Sequence, residues 1–170
     1  MDPAKEKFDF LKYIPAFLVG SLFLLNILPL LAPILAYFGE TKISGFIYWL
    51  YSFTCHQKGS RSIFICDHQY GWCARCTFLW MSTLITSGLI FYFRPTFSYK
   101  GASLKVAALL CLPLALDGGI QLLGTMYSIL FNTAPFYEST NTLRAITGIL
   151  FGLGIGLYMF PRLRDELKTN

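Results

Sequence analysis

The 170 residues are 55% hydrophobic and only 14% charged, where soluble domains carry roughly 25% charged residues. So short a chain exposes too much surface to cover with so few charges, which excludes an ordinary soluble domain and implies a surface facing lipid. The formal charge of +5 sits in short clusters between apolar stretches, a pattern that argues against nucleic-acid binding and fits residues flanking membrane spans.

One integral membrane domain is expected over residues 1–170. The first apolar stretch covers about 14–38, broken only by Asn26, Pro29 and Pro33. It exceeds the ~20 residues needed to cross a bilayer, and it lacks a clear small-residue cleavage site, so it reads as a retained span. Residues 43–53 follow, apolar and aromatic but too short to cross, and predict an interfacial or re-entrant helix. Further spans are expected at about 76–93, ending at Arg94-Pro95, at 104–123 (to 131 if it continues past Gly124), and at 143–160, ending at Pro161-Arg162. The fold class is therefore all-α: a polytopic helical bundle with four transmembrane helices and one short interfacial or re-entrant helix.

Counting Lys and Arg in the loops sets the orientation. Lys5, Lys7, Lys12, Arg94, Lys100, Lys105, Arg162, Arg164 and Lys168 fall on one side, against Lys42, Lys58, Arg61, Arg75 and Arg144 on the other. The excess places both termini in the cytoplasm of a cell-membrane protein and the loop 54–76 outside. In the last span Gly148, Gly152 and Gly156 recur every four residues, leaving one face bare for close helix packing. Packing within the bundle is the first expectation, and a homo-oligomer through those glycines the second.

Four of the five cysteines and both histidines lie between Cys55 and Cys76. Cys73-Ala74-Arg75-Cys76 lets two thiolates reach one ion from a single turn, with further ligands from Cys55, Cys66, His56 or His68. The same pair at a helix start, beside Arg75, also suits thiol–disulfide chemistry, and an outward loop suits two structural disulfides. Cys111, alone in the third span, reads as a small buried hydrophobe.

Asp117 falls about 20 Å along the third span, a depth where an ionisable group is costly unless paired or wetted. Gln121 shares its helix face, and Arg144, one turn inside the fourth span, is the expected partner of Asp117. Ser139, Asn141 and Thr142 suit a helix cap. With both termini inside, Asp117, Gln121, Glu138, Asn141 and Arg144 converge on the outer side beneath the cysteine loop. No phosphate-binding glycine loop, hydrolase elbow or pore-like charge series is present, which argues against an ATPase, a serine hydrolase or a voltage-gated channel.

The run Cys55-His56-Gln57, Arg61-Ser62, Cys73-x-Arg75-Cys76, Asp117-Gly118-x-x-Gln121 and Ser139-Thr140-Asn141-x-x-Arg144-x-x-Thr147-Gly148 resembles the small prokaryotic membrane proteins of domain of unknown function 2085. The resemblance spans roughly residues 48–156 and implies a multi-helix membrane fold without assigning an activity. Its pattern usually has Gly near Cys66, which implies a core of Cys55, His56, Cys73, Arg75 and Cys76 with Cys66 a local addition. A looser likeness, by topology and one motif, is to four-helix membrane oxidoreductases that pass electrons between dithiols and quinones.

The leading expectation is thus an outward-facing transition-metal site, zinc first, on Cys55, His56, Cys73 and Cys76. Beside it stand Asp117, Gln121, Glu138, Asn141, Arg144 and Arg75 as candidate catalytic residues. An anionic, even lipid-linked, substrate would suit Arg144. The alternatives are a quinone-linked dithiol oxidoreductase and a non-enzymatic structural or transport protein.

Overall fold

The computed structural model describes residues 13–92 and 101–169. Lys5, Lys7, Lys12, Arg94 and Lys100 of the charge count, and the stop at Phe93 to Pro95, lie outside the described residues. Among the described residues four helices are long and apolar enough to cross a membrane: α1 (Ile14–Tyr37), α3 (Ala74–Tyr92), α4 (Leu104–Phe131) and α5 (Asn141–Thr169). The short helix α2 (Thr41–Ser52) lies where the aromatic stretch predicts it. By their main contacts the spans form a row, with α5 packed on both α3 and α4, and α1 packed on α3 and α2.

Pro29 and Pro33 do not end α1, nor does Pro161 end α5. A helical proline leaves the carbonyl four residues back without its donor, and in lipid that carbonyl needs a new one. For Pro29 the Tyr51 hydroxyl donates to the Leu25 carbonyl at 3.0 Å, tying α2 to α1. For Pro161 the Ala102 N–H donates to the Leu157 carbonyl at 3.0 Å. That bond needs a close approach by Gly101, which sits at φ +84, where a Cβ would meet Leu157 O at 3.1 Å and Arg162 Nη1 at 3.0 Å. The apolar stretch ends before Pro161-Arg162 as expected, but the helix does not: it runs on through the charged residues to Thr169.

The glycine face of α5 is filled by α3. A Cβ at Gly148 would lie 2.6 Å from Arg75 O, and one at Gly152 would lie 2.0 Å from Ser82 Oγ. At Gly156 it would lie 2.7 Å from Thr86 Cγ2. The intramolecular expectation describes this seam, and a second copy would have to use another surface than these glycines. On the other side of α5, Gly154 faces Cys111, which packs as a small apolar group.

The loop 54–76 holds one element that the helical reading did not contain, an antiparallel hairpin of β1 (Ser62–Ile65) and β2 (His68–Cys73). Its two-residue turn, Cys66-Asp67, has φ of 51° and 60°. That is the paired left-handed conformation whose twist matches a tight hairpin. Trp72, 1% exposed, anchors the hairpin by packing against Tyr51 and Trp80 at ring-centroid distances of 5.0 and 6.2 Å. Gly71 lies directly on α1, where a Cβ would meet Pro29 Cα at 2.8 Å.

Candidate functional site

Two stretches of chain deliver the cysteines. Cys55 follows α2, held by its N–H to the Tyr51 carbonyl at 3.0 Å, while Cys73 ends β2 and Cys76 lies in the first turn of α3. The loop after Cys55 is clasped by Gln57, whose amide donates to the carbonyls of Tyr48 (2.8 Å) and Gly71 (2.9 Å). These constraints bring the three sulfurs within 4.8 Å of one another. A tetrahedral zinc with Zn–S bonds of about 2.3 Å needs its sulfurs roughly 3.8 Å apart, so the spacing fits one ion. The Cys73 N–H also points at Cys55 Sγ, at 3.3 Å. Hydrogen bonds from the Cys55 and Cys76 thiols hold Cys73 well below the ordinary cysteine range, and donation to Cys73 raises Cys55.

Cys66 and the two histidines are outside this cluster. Cys66 is exposed at the hairpin tip, and His68 is engaged locally, its Nδ1 2.7 Å from the Cys66 carbonyl. His56 is exposed and lines the cavity beside the sulfurs without joining the group of close donor atoms. Two disulfides among Cys55, Cys66, Cys73 and Cys76 do not match this arrangement.

Asp117 is 6% exposed, and Arg75 is its ion-pair partner in place of the expected Arg144. The start of α3 faces the middle of α4 at this level, a register that sequence spacing does not reveal. Tyr137 donates to Asp117 Oδ1 at 2.6 Å and Ser139 to Oδ2 at 2.9 Å. That bond to the carboxylate raises the Tyr137 pKa. With three donors, Asp117 is a buried anchor that aims Arg75. Tyr137 and Ser139 were not singled out as its partners, although both belong to the polar stretch before the last span.

Glu138 is exposed and pairs with Arg61 at 3.0 Å, joining the 132–140 loop to the hairpin segment. Asn141, at the start of α5, accepts from Arg144 Nη1 at 3.2 Å and donates to the Ser62 carbonyl at 3.4 Å. Gln121, 6% exposed, has its amide oxygen toward Arg144 Nη2 at 2.9 Å and Arg61 at 3.1 Å. Arg75 Nη2 lies 3.4 Å from the other terminal atom of that amide, as a third cationic group beside it and not as a donor to the same oxygen.

The outcome is a cavity of about 190 Å³ lined both by the three cysteines and by cationic side chains. Arg75, Gln121 and Arg144 line it as the sequence suggests, Asn141 and Glu138 orient its arginines, and Asp117 stands behind Arg75. Lys58 and Arg61 also line it. Their place in the Cys/His loop was the available signal, although the charge count treats them only as topology markers.

The chain is 35% identical over 138 residues to an uncharacterized protein of Methanocaldococcus jannaschii, covering 77% of this chain and 80% of that protein. It is 28% identical over 107 residues to an uncharacterized protein of Methanothermobacter thermautotrophicus, covering 63% of this chain and 85% of that one. No solved structure matches the chain. Residues 55–158, from the first cysteine of the cluster to the body of α5, match the predicted membrane proteins of domain of unknown function 2085, and the chain belongs to that family.

Proposed function

We propose that Cys55, Cys73 and Cys76 form a three-thiolate site for a transition metal, zinc first, facing a polar cavity on the extracytoplasmic side of the membrane. The observation that carries this reading is the meeting of the Cys55 sulfur with those of the Cys73–Cys76 strand–helix junction, all three within 4.8 Å, with Cys66 left out. A dithiol pair needs two sulfurs and a structural disulfide framework an even number, whereas three donors leave a zinc coordination position open. The ion would supply Lewis acidity at that position, or fix the loop to α3. Arg144, Arg61, Gln121, Lys58 and His56 are the groups that meet a ligand there, and Asp117 acts through Arg75 as a positioning residue. The outward orientation rests on the excess of Lys and Arg on the opposite side.

Metal analysis of detergent-purified protein, with thiols counted on the same sample under denaturing, non-reducing conditions, tests the reading. The expected result is about one ion per chain, all five cysteines recovered as thiols after chelation, and loss of the ion in Cys55→Ser. Absence of metal together with missing thiols would sink it. Quinone-linked dithiol chemistry is the second reading, supported by the half-buried Cys73 and Cys76 at a strand–helix junction. It expects a Cys73–Cys76 disulfide and trapped mixed disulfides in Cys76→Ser.

A further inference from the structure

We propose that the cavity walled by Lys58, Arg61, Arg75 and Arg144 binds a phosphate-class oxyanion, either free or as the headgroup of a lipid. Two carboxylates serve these four cations: Asp117 pairs with Arg75 and Glu138 with Arg61. Arg144 is 3% exposed, and its side-chain partners are the uncharged Asn141 and Gln121. No described carboxylate pairs with it.

Three guanidinium groups approach the single Gln121 amide, within 3.4 Å of it. Like charges gathered away from water repel strongly, and a buried arginine without a counter-charge is costly. The cysteines reduce the surplus without removing it, because one zinc ion on three thiolates carries a single net negative charge. Arg75 Nε adds a buried donor with no partner. A carboxylate suits one arginine fork, whereas several forks on one space, with Lys58 as a flexible point charge, suit the oxygens of a tetrahedral ion.

Access explains why a lipid is one of the two sources. The cavity shares His56, Lys58, Arg61 and Gln121 with a neighbouring one of about 320 Å³ that reaches Gly118, Leu122 and Thr125 of α4. Leu122 is 61% exposed on an apolar span, so this second space opens beside the surface that meets lipid. The proposal names the ligand class of the cavity described above, and rests on the metal reading for the net charge of the sulfur cluster.

The test titrates the full-length protein in a neutral detergent with inorganic phosphate and, separately, with a short-chain dialkyl phosphate, by calorimetry, with metal content measured on each sample. About one anion per chain is expected. Lys58→Gln and Arg61→Gln, both changes in an accessible loop, should each weaken binding about tenfold through loss of a charged contact. Arg162→Gln, on an exposed residue stacked on Tyr158 toward the other end of α5, should leave binding unchanged. Tighter binding of inorganic phosphate than of the dialkyl phosphate supports a soluble oxyanion, and binding of the dialkyl phosphate at least as tightly supports a lipid headgroup. Failure of the metal-replete protein to bind either probe, or binding indifferent to both loop changes, overturns the proposal and leaves the metal site standing. Anion binding in protein that never holds metal supports the anion site and counts against the metal reading instead.

Discussion

The α3–α5 seam and the cavity above it are both rich in polar residues, yet they handle polarity in opposite ways. In the seam, Ser82, Thr83, Thr86 and Ser87 return their hydroxyls to carbonyls of α3 itself, at 2.7–3.0 Å, and the glycines of α5 fill the space beside them. Each donor is satisfied within its own helix, so the seam is closed to ligands and serves packing. In the cavity, donors outnumber acceptors: three arginines crowd one amide and Arg75 Nε is unpaired. Satisfied polarity inside a membrane protein reads as structure, and unsatisfied polarity as a site.

The largest expected effect comes from opening the boundary between the two regions. Asp117→Asn removes the one carboxylate on Arg75, leaving a buried charge unpaired, at a cost of about 3–5 kcal/mol. Thermal unfolding in detergent measures that loss. Arg75→Gln in the same chain should restore part of it, because the stranded charge is gone. A double change as unstable as the sum of the singles would show that the pair is not coupled. Gly152→Ala comes next: its methyl would overlap Ser82 Oγ and the Leu79 carbonyl, for a loss of about 1–3 kcal/mol. Metal content per folded chain should not change in that variant, which separates seam from site. Tyr51→Phe should cost about 1 kcal/mol, since it strips the donor from the Leu25 carbonyl freed by Pro29.

The spans were legible because apolar length and flanking charge act locally along the chain. The end of α5 was not, because Pro161 is a stop only if its freed carbonyl stays unpaired, and the donor from Ala102 arrives from another part of the chain. The three cysteines of the expected metal set do meet, a choice that came from the family resemblance; spacing alone left Cys66 open, because its place at the tip depends on a hairpin whose turn carries Cys66-Asp67 instead of the usual Asn-Gly signal. Asp117 and Arg75 were both found as site residues, while their pairing depends on how α3 is set against α4.

Cys66 gives the smallest and most discriminating effect. It is the first residue of the two-residue turn, at φ 51°, where a side chain is strained and glycine is not. Cys66→Gly should therefore leave stability unchanged or raise it by up to about 1 kcal/mol. The variant should also bind as much metal as the parent, because the sulfur it removes lies outside the cluster of Cys55, Cys73 and Cys76. In Cys55→Ser the same assay should show the ion gone. Had Cys66 been paired with one of the other three, its removal would free a thiol and loosen the hairpin. Equal metal content in the parent and the glycine variant, with one fewer thiol, would confine the chemistry to three sulfurs and leave the hairpin tip as a turn.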